Sequence, residues 1–213
     1  MHNKRFASAT GFTDVRETVG VHTCKGLLFD DDIFWRCESI FYFASSQTNM
    51  SCPVLPNALE RADGSKVGQE VLAGKTVMLF FSAEWCPACS TFVPILHTLY
   101  DDAKEKGQML EVIYVSSDND AAQKDRYMRE KHGDWLSVPF GDTEARDTLK
   151  TKYGCFAGKE APSYSGVMRR SGIPSIVIIN QAGEELVHMD VDPPTEITRK
   201  GDAILDEWAA HRW

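Results

Sequence analysis

Cys86 and Cys89 stand two residues apart in the run Phe80-Phe81-Ser82-Ala83-Glu84-Trp85-Cys86-Pro87-Ala88-Cys89. Two thiols at that spacing can close a small disulfide ring and exchange it with other thiols, or they can supply half of a metal site. The surroundings decide between these. A zinc site needs a second ligand pair, and Cys24, Cys37, Cys52, Cys155 and the six histidines offer no second Cys-x-x-Cys and no close His-x-x-x-His. No metal and no bound cofactor is expected.

The elements that must position the pair flank it directly. Thr76-Val77-Met78-Leu79-Phe80-Phe81 is a nearly continuous apolar run, the pattern of a strand buried on both faces. Phe92, Ile95, Leu96, Leu99, Tyr100 and Ala103 then recur at three- and four-residue steps, which predicts an amphipathic helix ending near Gly107 and kinked at Pro94. Cys86 therefore falls where a strand ends and a helix begins. Unpaired amides and the helix dipole favour a thiolate there, so Cys86 is the expected attacking sulfur, and Pro87 in the first turn sacrifices no hydrogen bond. Cys89, a turn later and shielded by Phe92, is the expected resolving thiol, with water or Glu84 to take its proton. Trp85 is either a wall of the site or a plain core aromatic.

The remaining chain supplies the rest of a sheet. Residues 58–61 and 66–67 predict a hairpin about Asp63-Gly64, and Gln69 to Leu72 a short helix closing at Gly74. Leu110 to Val115 reads as a strand, followed by a helix capped by Asp118 or Asn119 and another capped by Thr143. The stretch from Gly154 to Ser171 has no clear period and reads as a loop or a poorly specified helix. Residues 175–180 and 185–189 flank a turn, and a last helix is expected around Glu196 to His211.

The order strand, helix, strand, helices, hairpin, helix is that of the thioredoxin fold, an α/β fold with a central mixed sheet flanked by helices. The residues also resemble a family. The stretch Phe81 to Cys89, with Phe92, Pro94, Leu96 and Tyr100 after it, resembles tryparedoxins and nucleoredoxins, which typically carry Trp-Cys-Pro-Pro-Cys. Asp134 to Phe140 is similar to that branch's Pro-Trp-Leu-Ala-Val-Pro-Phe segment, and Gly172-Ile173-Pro174-Ser175 to its cis-proline loop. The resemblance spans about residues 55 to 190. It implies a cis Pro174 lying, with Ile173, against the Cys86–Cys89 pair, and a thiol-disulfide oxidoreductase that reduces protein disulfides, such as those of peroxidases. It implies recycling by a low-molecular-weight dithiol (trypanothione if the organism makes it) or by a flavoprotein reductase. Ala88 and Ser90 depart from the family's second proline and arginine, so the potential does not carry over, and a thioredoxin-fold binding or scaffold module stays open as the alternative. Phe80 stands where ordinary thioredoxins bury an acid, which fits the tryparedoxin branch.

Composition narrows the setting. A net charge of −8 argues against nucleic-acid binding, which needs a basic face. No apolar run approaches the roughly 20 residues of a membrane span. Six irregularly spaced cysteines and no signal-peptide core make a reducing, cytoplasmic setting the default, with a monomer expected. Residues 1–50 show no sustained period and read as an N-terminal extension, poorly ordered, a docking segment, or sequence upstream of a true start at Met50. Their Asp30 to Asp32 run has the wrong sign for organellar targeting. The thioredoxin-like domain is assigned to residues 51–213.

Overall fold

All seven residues of Thr76–Ser82 are buried, so an apolar run with no polar face becomes the central strand of a sheet covered on both sides. In the computed structural model residues 51–213 are described throughout. Of the preceding residues only the backbone of two short antiparallel strands is described, β1 (Leu27–Phe29) and β2 (Asp32–Phe34), and the extension expected over residues 1–50 otherwise lies outside the described residues. The chain divides into units Met1–Ser46 and Gln47–Trp213.

The second unit carries a seven-stranded mixed sheet. Its strands are β3 (Ala58–Glu60), β4 (Lys66–Gly68), β5 (Thr76–Ser82), β6 (Leu110–Ser116), β7 (Leu136–Ser137), β8 (Ser175–Ile179) and β9 (Glu185–Asp190), in the order β4-β3-β7-β6-β5-β8-β9. β6 runs parallel to β5, with Ser82 opposite Ser116, and β8 antiparallel to it, with Phe81 opposite Ser175. This register brings the end of β5 and the start of β8 to the same end of the sheet.

Alternation along β5 splits the core in two. Met78 and Phe80 face Phe92, Leu96 and Tyr100 of α1 (Pro87–Glu105), together with Tyr127 and Met128 of α2 (Ala121–Lys131). Val77, Leu79 and Phe81 face Leu59, Leu72 and, from α3 (Thr143–Tyr153), Leu149 and Tyr153. Phe80 packs among the rings of Phe92, Tyr114, His132 and Trp135, an apolar setting in which a carboxylate would go unpaired. α1 continues through Pro94 without a break.

Several expected boundaries move, each for a reason outside the local pattern. α2 is capped by Asp120 and α3 by Asp142, whose side chains accept from the amides of Gln123 and Ala145. Asp118 is instead drawn into the sheet end, where Tyr114 and Ser116 donate to one oxygen and the Glu84 amide to the other. The last helix is broken into α4 (Thr195–Lys200), a short 3-10 turn and α5 (Ile204–Ala209), because Gly201 adopts φ +54, a left-handed value that interrupts the ladder. The aperiodic stretch after α3 is neither open loop nor α-helix. It leaves Gly154 at φ +65, forms a 3-10 helix over Gly158–Tyr164, and returns so that Cys155 bridges Ser171. An added Cβ at Gly154 would come within 2.7 Å of the Met168 carbonyl, so close approach as well as φ requires glycine there.

Candidate functional site

The chain leaves β5 at Ser82 and turns through Ala83-Glu84-Trp85 into α1, whose N-cap is Cys86. Cys86 has the extended backbone of a cap (φ −87, ψ 116), and its sulfur accepts the Cys89 amide at 3.3 Å. A thiol thus does what a serine or aspartate side chain does at most helix starts, and Pro87 occupies the first turn without losing a bond. Cys89, one turn on, is fully buried. Burial pushes its thiol well above the ordinary range, the hydrogen bond with Cys86 adds to this, and the Ser82 hydroxyl pulls the other way. Ser82 in turn shares a hydrogen bond with Tyr127 at 3.2 Å, also buried.

The Gly172-Ile173-Pro174 loop closes the site from the far end of the chain. The Ile173–Pro174 peptide bond is cis, as the resemblance implied, and the Cys86 thiol lies 3.6 Å from the Ile173 carbonyl. Ile173 packs with Ala83, Cys86, Cys89 and Ala88 in one small cluster, and Ser175 Oγ donates to Gly172 O at 2.8 Å to hold the loop. Asp192–Pro193 is a second cis bond, which sequence reasoning missed.

Trp85 is not a core aromatic: it is 38% exposed, and its indole N–H donates to the Ser117 carbonyl at 3.0 Å. Glu84 is not aimed at Cys89. Its carboxylate makes two hydrogen bonds with Arg126 at the surface, so the hydroxyl beside the buried thiol belongs to Ser82.

Other contributors gave no periodic signal. Glu160 accepts from the Ala157 amide, the Ser117 hydroxyl and the buried Lys150 ammonium at 2.9, 2.7 and 2.6 Å. Burial lowers Lys150 towards neutrality, and the adjoining carboxylate opposes that. Glu160 thus ties the segment after α3 both to Lys150 of α3 and to Ser117, whose carbonyl holds Trp85. Lys159, in the same segment, lies 3.8 Å over the Trp85 ring.

Among the described residues no group of three or more His, Cys, Asp or Glu side chains could hold a metal. Cys52 and Cys155 are buried and raised by burial, and Cys155 accepts the Ser171 hydroxyl at 3.2 Å. Cys24 and Cys37 lie outside the described residues.

A strand-to-helix Cys-x-x-Cys facing a cis-proline loop is matched by a family profile described as thioredoxin-like, over residues 74–185. The chain belongs to the thioredoxin-like family. Within it, the chain is similar to probable nucleoredoxin 1 of Arabidopsis thaliana, 33% identical over 147 residues, which are 68% of this chain and 25% of that protein. It thus spans about a quarter of the length of the curated relatives it matches. Two solved thioredoxin-like structures share the fold: thioredoxin from Wuchereria bancrofti, 31% identical, TM-score 0.54, covering 75% of this chain and 99% of that one, and tryparedoxin II complexed with glutathionylspermidine, 26% identical, TM-score 0.52, covering 70% and 89%. Membership in this thioredoxin-like family supports thiol-disulfide redox chemistry in general.

Proposed function

We propose that the chain is a protein-disulfide reductase of tryparedoxin or nucleoredoxin type, working in a reducing compartment through Cys86 and Cys89. The observation that carries this is the Cys86 sulfur itself, which caps α1, accepts the Cys89 amide at 3.3 Å and faces the Ile173 carbonyl at 3.6 Å. That sulfur receives the Cys89 amide and stands where an incoming peptide meets the backbone before Pro174.

In the cycle, the Cys86 thiolate attacks one sulfur of a substrate disulfide. A new S–S bond forms, the substrate bond breaks, and one substrate thiolate leaves. Cys89 then gives up its proton and attacks the Cys86 sulfur, forming the Cys86–Cys89 disulfide and releasing the second substrate thiolate. Two electrons have passed to the substrate, and its two thiolates take up protons, one released by Cys89 and one from solvent. The dithiol is restored by the reverse exchange with a low-molecular-weight dithiol or with a flavoprotein reductase. Tryparedoxin II binds glutathionylspermidine, so a glutathione-based dithiol is the proposed donor, trypanothione where the organism makes it. Disulfide-containing proteins such as peroxidases are the proposed substrates.

The test is reduction of a protein disulfide coupled to a dithiol-recycling system. Wild-type protein turns over and Cys86→Ser does not. Undiminished turnover in Cys86→Ser overturns the assignment, and no turnover by wild type with any dithiol leaves the scaffold reading in its place.

A further inference from the structure

Two cations without an acidic partner lie against residues that adjoin the dithiol and the cis-proline loop. On the Trp85 side, the exposed Lys159 places its ammonium 3.8 Å over the indole and donates to Asn119 Oδ1 at 2.5 Å. On the cis-proline side, the exposed Arg169 donates through Nε to the Phe156 carbonyl at 2.8 Å. Its guanidinium lies against Gly172, where an added Cβ would come within 2.6 Å of Nη2. Trp85 precedes Cys86 in the chain and Gly172 precedes Ile173, whose carbonyl faces the Cys86 sulfur. Both charges therefore stand one residue from the two groups that meet at the reactive sulfur.

Every contact holding these cations is neutral: an indole face, an amide oxygen and a backbone carbonyl. The carboxylates around them are committed elsewhere. Glu160 pairs with Lys150, Glu84 with Arg126 and Glu185 with Arg170. Asp118 is buried and its oxygens receive Tyr114, Ser116 and the Glu84 amide. Among the described residues Lys159 and Arg169 form no ion pair, so their charge is left for a ligand. These two charges are opposite in sign to the −8 net charge of the chain. Two cations at the site of an acidic protein favour anionic side chains on a peptide partner there.

We infer that Lys159 and Arg169 select the substrate: the preferred disulfide is carried on an acidic peptide, with Asp or Glu within two residues on either side of the reacting cysteine. An extended peptide advances about 3.3 Å per residue, so side chains one or two positions from the cysteine come within reach of cations placed on either side of it. The carboxylate–guanidinium contact can be bidentate, and the ammonium adds a second point of attraction. The inference rests on the proposed reductase reading.

The experiment uses three peptide disulfides of one length, with Glu, Gln or Lys flanking the cysteine, and the full chain at low salt. For wild type, kcat/KM is expected to be about tenfold higher for the Glu than for the Lys peptide, chiefly through KM, and about 0.5 M salt compresses that ratio. Lys159→Gln/Arg169→Gln brings the ratio towards unity, and Lys159→Glu/Arg169→Glu inverts it, an outcome that a folding defect cannot produce. If wild type reduces the Gln peptide but treats the Glu and Lys peptides alike, the inference is wrong while the reductase reading stands. If wild type reduces none of the three, the reductase reading itself fails. An unchanged Glu preference in the charge-reversed variant also overturns the inference.

Discussion

The Cys86 sulfur faces the backbone carbonyl of Ile173 at 3.6 Å, from the opposite end of the domain sequence. The α1 start and the cis-proline loop therefore present one surface on which a substrate sulfur can meet Cys86. Cys89 is fully buried behind it. Cys86 keeps 6% exposure and Cys89 none, which supports the proposed order with Cys86 attacking first.

Removing the buried partner should stop the cycle halfway. Cys89→Ser is expected to accumulate a mixed disulfide between Cys86 and the substrate, seen as an added substrate mass in intact-protein mass spectrometry and lost on reduction. Cys86→Ser should accumulate none. Adduct on Cys86→Ser at wild-type levels would reverse the roles.

The second exchange depends on the hydroxyl that opposes the burial of Cys89. Ser82→Ala removes the larger of the two hydrogen bonds that pull the Cys89 thiol down and leaves only that with the Ala83 backbone to oppose burial. A lost hydrogen bond of about 1 kcal/mol corresponds to release of the second product slowed about five- to tenfold in single-turnover kinetics. Glu84→Gln should stay within about twofold of wild type, because that carboxylate is held by Arg126 at the surface. The opposite ranking would return Glu84 to the proton path.

Lys150 is tested through stability and local order together. Its ammonium is buried and pairs with Glu160 at 2.6 Å, so Lys150→Ala leaves a partly buried carboxylate without its counter-charge. The expected loss is about 2–4 kcal/mol in urea unfolding. Hydrogen exchange should rise over Gly158–Tyr164, the segment that this pair anchors. Replacing both partners by Met should recover most of the stability. A double variant as unstable as the single one would show that something other than the unpaired charge sets the cost.

His132 makes stability depend on acid pH. Burial among Phe80, Tyr114, Tyr127 and Trp135 pushes it down to about 3 from its ordinary 6.5. With the folded value depressed, its contribution is fully present above the unfolded value of 6.5 and is lost as pH falls towards about 3. At about 1.4 kcal/mol per unit, roughly 2–3 kcal/mol should be gone by pH ~4.5. In denaturant midpoints measured between those pH values, His132→Phe should show a shallower acid slope than wild type, whatever its absolute stability. Equal slopes would mean that the imidazole is solvated.

The places where pattern reading succeeded and failed have a common cause. The β5 run, the α1 stripe and the hairpin about Asp63-Gly64 were legible because each is written in side-chain period or turn chemistry within a few residues. The helix caps were not, because Asp118, Asn119 and Asp120 are chemically near-equivalent caps in a row. Asp118 was removed from contention by Tyr114 and Ser116 at the sheet end. β7 is only two residues long and carries no period, yet it links β3 to β6. The segment between Gly154 and Ser171 takes its shape from a buried Lys150–Glu160 pair ten residues apart, for which no helical or strand repeat exists.

By itself, the sequence determined that a Cys-x-x-Cys pair sits at the start of a helix behind a buried strand, since both signals are local. The resemblance implied Ile173 and Pro174 against the pair, but only the tertiary structure decided the rest: the Ile173 carbonyl at 3.6 Å from the Cys86 sulfur, Ser82 beside the buried thiol, Lys159 over Trp85 and Arg169 against Gly172. Hydrogen-bond partners and uncompensated charges depend on which distant residues the sheet register and the returning segment bring within a few ångströms, and no spacing along the chain encodes that.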